Sequence, residues 1–280
     1  ERAMDLSLPG HLYAKSPIDM ACWDIAGQAA GLTIADLMGG GSRAPAPIAS
    51  SVGAKTVEET REVLARYRDR GYWVHSVKVG GDVDQNIERI QDVETHRPVK
   101  ERILYDANRG FTRQQALRVM QATEQWKVMF EQPCETLDDI AAIRPLHSAP
   151  VSVDECLVTL QDATRVARDG IAEVFGIKLN RVGGLTKASR IRDIALAHGI
   201  DIFVMATGGS VLADTEALHL AATIPDDNML GVWACQDMIT AEIADGAGPR
   251  ANNGHLRLPE QPGLGVHPQE STLTKVARYE

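Results

Sequence analysis

Four short segments, Leu104-Tyr105-Asp106-Ala107-Asn108, Met129-Phe130-Glu131-Gln132-Pro133, Ser152-Val153-Asp154-Glu155-Cys156 and Gly176-Ile177-Lys178-Leu179-Asn180, follow one plan. Each runs through apolar, strand-forming residues and then reaches a charged side chain. The charged residues are an acid, an acid, an acid and a lysine, about 25 residues apart, which is the repeat of one strand and one helix in a closed barrel. A helix-like stretch lies between each pair. Right-handed crossovers between parallel strands put every C-terminal strand end on one rim, so the four side chains are expected to converge there.

Three carboxylates brought to one point repel each other unless a cation lies between them. An all-oxygen set with no clustered His or Cys suits a hard ion, so Asp106, Glu131 and Asp154 are read as ligands for magnesium. Lys178 then stands beside the ion as a proton carrier, because an amine near a cation or out of water gives up its proton more readily. Lys78, at the end of the second strand-like run, is the second amine, expected across the barrel mouth. Two amines on opposite sides of a metal allow abstraction on one face of a carbon and donation on the other. A substrate carboxylate on the ion becomes more electron-withdrawing, and its α-proton removable.

The pattern extends in both directions. From Ala46 the chain alternates strand and helix: strands over 47–52, 74–79, 103–105, 128–130, 151–153, 174–178, 202–205 and 229–233. Helices are expected over 56–70, 82–94, from 112, and over 137–144, 160–169, 186–198 and 211–222; Thr56 and Glu59 have the spacing of a capping box. So many alternating units imply a parallel sheet closed on itself. An open doubly wound sheet is disfavoured because no GxGxxG follows the first strand. Before the barrel, Ser16-Pro17 is expected to open a helix whose apolar face holds Ile18, Ala21, Cys22, Ile25 and Ala29. Gly31 ends it, and a short turn runs from Ile34 to Met38. The expected division is a helical prelude over 1–45, the barrel over 46–253, and a segment over 254–280 returning toward the prelude.

The 280 residues are 44% hydrophobic and 24% charged, ordinary for a chain that buries a full core. A net charge of −9 provides no basic face for nucleic acid. Four scattered cysteines, Cys22, Cys134, Cys156 and Cys235, form no CxxC pair and read as reduced thiols of a cytoplasmic protein. No apolar run is long enough for a membrane span. The first residue is Glu1 rather than Met, as expected of a piece of a longer protein.

Further residues are expected near the substrate. Strand alternation places Asn108 on the face of Asp106, Asn180 on that of Lys178, and Ser76 on that of Lys78. Thr207 lies in Thr207-Gly208-Gly209-Ser210, where free N–H groups at a helix start can hold an anion. Trp233 and Asp237, near the end of the eighth strand, suit a cationic amine as an aromatic wall and an anion. His75 is expected to point into the layer between barrel and helices.

The order Asp-x-Asn, Glu-Gln-Pro, Asp-Glu and Ile-Lys-x-Asn-x-x-Gly-Gly resembles the enolase superfamily, in its mandelate racemase and muconate lactonizing enzyme branch. Ser16-Pro17-Ile18-Asp19-Met20-Ala21-Cys22-Trp23-Asp24-Ile25 and Pro262-Gly263-Leu264-Gly265-Val266 are similar to that branch's pre-barrel helix and C-terminal signature. The resemblance implies a modified TIM barrel, (β/α)7β, preceded by remnants of an N-terminal α+β capping domain. It also implies Mg2+ on Asp106, Glu131 and Asp154, a small-molecule carboxylate substrate, and assembly into a homo-oligomer. Ser76-Val77-Lys78 departs from the muconate lactonizing subgroup's usual Lys-x-Lys. This variant resembles members that handle proline derivatives, so the expected reaction is dehydration of cis-3-hydroxy-L-proline or a related imino or amino acid. The alternatives are a racemase or 2-epimerase of proline betaines or other amino-acid derivatives, and a non-catalytic barrel.

Overall fold

The computed structural model describes residues 1–274 apart from 43, 54, 207, 242, 245 and 247. Three helices come first: α1 (Arg2–Ser7), α2 (Leu12–Ala30) and α3 (Ile34–Leu37). The barrel follows as β1 (Ala46–Val52), α4 (Val57–Asp69), β2 (Val74–Lys78), α5 (Val83–His96), β3 (Arg102–Asp106), α6 (Arg113–Ala122) and β4 (Met129–Glu131). It continues with α7 (Leu137–Ile143), β5 (Val151–Val153), α8 (Leu160–Asp169), β6 (Val174–Lys178), α9 (Leu179–Val182), α10 (Leu185–Ala197), β7 (Asp201–Met205), α11 (Val211–Ala221) and β8 (Met229–Trp233). Adjacent strands pair in parallel from β1 through β8, and β8 pairs with β1 to close the cylinder. Each of the seven gaps between strands holds at least one α-helix, so the architecture is (β/α)7β. A short β9 (His255–Leu256) runs antiparallel to the start of β1.

Local chemistry sets the element boundaries. Thr56, Thr112 and Thr159 each close a reciprocal capping box with the residue three positions on, so α4, α6 and α8 begin with their free N–H groups partly satisfied. Strand alternation divides the side chains. Ala49, Val74, Leu104, Val174, Phe203, Met205 and Leu230 fill the cylinder, while Ile48, Val77, Tyr105, Phe130, Phe175 and Val232 pack outward against the helices. His75 belongs to the outward set: it is fully buried, with Nδ1 2.6 Å from the Ser50 hydroxyl and Nε2 2.7 Å from Glu101.

The prelude corrects one expectation. Helix α2 begins at Leu12, five residues before Pro17, which lies inside it. The face expected to be buried is exposed, Ile18 at 52% and Ile25 at 66%. The barrel instead receives a polar face. Asp19 accepts bonds from the Thr186 backbone N–H (2.9 Å) and hydroxyl (2.6 Å) in the first turn of α10, an anion placed at a helix N-terminus. Trp23 donates to the same hydroxyl at 2.9 Å. A Cβ on Gly184 would fall 2.5 Å from an Asp19 oxygen, so glycine permits the docking. The C-terminal segment is threaded through the same junction: Leu264 N–H donates to Asp24 (2.7 Å), and the backbones of Leu32 and Ile34 bond to Gly263.

Candidate active site

Four of the eight barrel strands, β2, β3, β4 and β6, end in a charged residue, and a fifth charge, Asp154, directly follows β5. Register pairs Lys78 with Asp106 and Asp106 with Glu131, so β2, β3 and β4 present these three side by side on the inner face. Glu131 pairs with Ser152, and Asp154 lies two residues beyond, on the same face. Lys178 ends β6. In a closed cylinder of eight strands, β2 and β6 are four apart, so Lys78 and Lys178 rise from opposite walls with the acids between them.

Lys78 Nζ bonds Asp106 Oδ2, and Lys178 Nζ lies 3.5 Å from Asp154 Oδ2. Asp154 Oδ1 is taken by a residue the sequence reading did not single out, Arg181 on α9. Asp106, Glu131 and Asp154 are all at most 3% exposed. Burial, then the charges of Asp106 and Asp154, push the Glu131 carboxyl well above the usual range. Burial works against the charged form of Lys78, but the three acids outweigh it and raise its pKa.

Among the described residues, no three acid, histidine or cysteine side chains surround one point closely enough to hold an ion as they stand. The carboxylates are turned to Lys78, Lys178 and Arg181. The donor set nevertheless fits a hard divalent cation. It consists of oxygens alone, and Glu131 Oε1 is buried with no hydrogen-bond partner, a cost that a cation removes.

Gln132 was also missed by the sequence reading, and it fixes the Asp154 loop. Its side chain is fully buried, and its backbone is left-handed (φ 38°). Its Oε1 accepts from the N–H groups of Asp154 (3.0 Å) and Cys156 (3.2 Å), while its Nε2 donates to the Cys134 carbonyl (2.9 Å) and to the Cys156 sulfur (2.8 Å). The available signal was an amide next to a buried acid at a strand end.

The expected substrate contacts divide. Ser76 is buried on the inner face beside Lys78. Trp233 ends β8 and packs on the apolar plug inside the cylinder. For Asn108 and Asn180, strand alternation does not apply, because β3 stops at Asp106 and β6 at Lys178. Asn108 turns left-handed (φ 43°), and its amide donates to Glu155 at 3.1 Å; Asn180 lies on the helical turn α9. Asp237 is held by the Arg70 guanidinium at 2.6 Å, because the chain leaves the strand period after Trp233. Cys235 is likewise buried against Asp214. Thr207 lies outside the described residues. All four cysteines are free. A cavity of about 360 Å³ beside Trp73, Lys100, Arg102 and Met229 opens at the N-terminal ends of the strands, away from the acids. No described helix is long and apolar enough to cross a membrane.

Comparison with known proteins agrees with this geometry. Residues 59–272 match the enolase C-terminal domain-like family, and residues 2–39 match the mandelate racemase / muconate lactonizing enzyme N-terminal domain. A cis-3-hydroxy-L-proline dehydratase from Roseibium aggregatum is 34% identical over 279 residues, 99% of this chain and 76% of that protein. A crystal structure from Silicibacter pomeroyi, described as a mandelate racemase/muconate lactonizing enzyme, superposes with a TM-score of 0.97. It is 78% identical, over 99% of this chain and 76% of the other. An enolase superfamily member from Roseovarius nubinhibens, solved with magnesium, is 41% identical with a TM-score of 0.96, over 100% of this chain and 76% of the other. The chain therefore belongs to the enolase superfamily, in its mandelate racemase and muconate lactonizing enzyme family.

Proposed function

We propose that the protein is a magnesium-dependent dehydratase that removes the proton α to a carboxylate and expels a β-hydroxyl, with cis-3-hydroxy-L-proline or a related imino acid as substrate. The observation that carries this reading is the placement of Lys78 and Lys178 on opposite barrel walls with Asp106, Glu131 and Asp154 between them. Asp106, Glu131 and Asp154 would hold a magnesium ion, whose positive charge would make the substrate carboxylate electron-withdrawing and its α-proton removable.

The stereochemistry suits two opposed amines. In a cis-3-hydroxyproline the hydroxyl and carboxylate share one face of the ring, so the α-hydrogen lies on the other. One lysine, as the free amine, takes that proton. The C–H electron pair becomes the C2–C3 double bond, and the C3–O bond breaks. The other lysine, as ammonium, gives its proton to the departing hydroxyl, which leaves as water. The cyclic enamine then tautomerises to the imine. In this reading Ser76, two residues before Lys78 on the inner face, and Trp233, at the end of β8, line the substrate ring.

The support for this substrate is the 34% identity, over nearly the whole chain, to a cis-3-hydroxy-L-proline dehydratase. Incubation with cis-3-hydroxy-L-proline and magnesium tests the reading. The expected product is a cyclic imine, detected as its coloured aminobenzaldehyde adduct, and recovery of intact hydroxyproline contradicts it. Epimerisation is the second reading, favoured by the same opposed lysines and by 30% identity to an L-Lys-D/L-Arg epimerase from Methylococcus capsulatus. An epimerase returns its substrate inverted and carrying solvent hydrogen, with no imine.

A further inference from the structure

We infer that Arg181 is a resident counter-ion that competes with a divalent cation for Asp154, and that Glu155 is the acceptor onto which its guanidinium moves when the cation binds. The inference rests on the metal reading above and adds to it the device that sets metal affinity.

Both oxygens of Asp154 are already engaged, Oδ1 by Arg181 and Oδ2 by Lys178 at 3.5 Å. A cation that takes Asp154 therefore meets positive groups already on that carboxylate, and like-charge repulsion favours moving one of them away. Lys178 is the weaker partner by distance and projects from the barrel wall. Arg181 stands on a single helical turn, α9, that follows β6 directly, and its side chain is only 12% exposed. A guanidinium at this depth needs another anion when it leaves Asp154, because an unpaired buried charge is costly.

The neighbouring residue meets that need. Glu155 Oε1 accepts from the Asn108 amide at 3.1 Å, while Glu155 Oε2 is buried with no hydrogen-bond partner. Arg181 already lies within the field of Glu155. The guanidinium, paired with Asp154, can exchange that carboxylate for the one next to it in the chain. Across the site, Asp106, Glu131, Asp154 and Glu155 face Lys78, Lys178 and Arg181. With the guanidinium on Glu155, the three inner acids are left to the ion and the two lysines. Arg181 and Glu155 act here as positioning residues.

A double-variant cycle on metal affinity tests the inference. Mg2+ binding is measured by isothermal titration calorimetry and Mn2+ binding by electron paramagnetic resonance, on the parent protein and on Arg181→Gln, Glu155→Gln and the double variant. Removing the competitor is expected to tighten binding about tenfold, and removing its acceptor to weaken binding about tenfold. In the double variant, the Glu155 effect is expected to vanish, leaving the affinity of Arg181→Gln. Arg181→Lys, which keeps the charge, is expected to bind metal within about threefold of the parent and guards against a folding defect in the glutamine variant. Weaker binding by Arg181→Gln, or an undiminished Glu155 effect in the double variant, overturns the exchange. Absence of binding by the parent protein instead overturns the metal reading on which it rests.

Discussion

Lys78 and Lys178 face each other from β2 and β6, four strands apart in a cylinder of eight, and each holds a different member of the acid row, Asp106 and Asp154. Glu131 stands between those acids with one oxygen unpartnered. The separation of the two amines gives the site two chemically distinct faces.

Replacing either lysine by alanine is expected to lower turnover of the hydroxyproline by about 10²- to 10⁴-fold, the usual worth of a positioned acid or base. The two variants are expected to differ in deuterated water. The variant lacking the proton donor still exchanges the α-proton of recovered substrate, whereas the variant lacking the base does not. Equal retention of exchange by both variants contradicts the division of roles.

Magnesium is expected to raise the melting temperature of the protein, because a ligand that binds only the folded state adds about 2.7 kcal/mol at a hundred times its dissociation constant. Asp154→Asn is expected to abolish that rise while leaving the metal-free melting curve cooperative. A metal-dependent rise that persists in the variant places the ion elsewhere.

Gln132→Ala removes the group that accepts from Asp154 and Cys156 N–H and donates to Cys134 and Cys156. Leaving those buried partners unsatisfied is expected to cost about 2–4 kcal/mol in urea unfolding. It also loosens the Asp154 loop, so metal binding is expected to weaken in parallel. Loss of stability with unchanged metal affinity separates the two effects and refutes the second.

Burial, with a contribution from Asp19, pushes the Glu216 carboxyl from its ordinary 4.5 up to about 8 at the junction of α11 with the prelude. The native state therefore holds a proton that the unfolded chain has released. Stability contributed by this group is complete below about pH 4.5, falls as pH rises toward about 8, and is lost above it. Glu216→Gln is expected to flatten the pH dependence in that window and to stabilise the protein by about 2–4 kcal/mol at pH 9. An unchanged slope in chemical-denaturation curves between pH 5 and 8 contradicts the assignment.

Much of the barrel was legible because its signals are local. Period-two apolar runs ending in a charge mark the strand ends, and the Thr56–Glu59 spacing marks a helix start that the structure caps as expected. The places where reading stopped are those where the chain leaves a period. Alternation stops at Asp106, Lys178 and Trp233, which end their strands, so it does not set the directions of Asn108, Asn180 and Asp237. Asp237 shows the cost plainly: its partner, Arg70, is 167 residues away. Helix α2 was misread for the opposite reason. Its apolar stripe is periodic, but the docking is done by Asp19, Trp23 and Asp24, whose partners Thr186 and Leu264 lie far along the chain. Arg181 was passed over because a charge on a one-turn helix carries no pattern, and only its ion pair with Asp154 reveals it.

Proton loss from the carbon next to the carboxylate can be followed directly by nuclear magnetic resonance, with magnesium-loaded protein and cis-3-hydroxy-L-proline in deuterated water. The account predicts that the α-proton signal disappears as imine signals grow, and that substituting either Lys78 or Lys178 stops the conversion. An α-proton resonance that stays at full intensity, with the parent protein folded and magnesium bound, contradicts it.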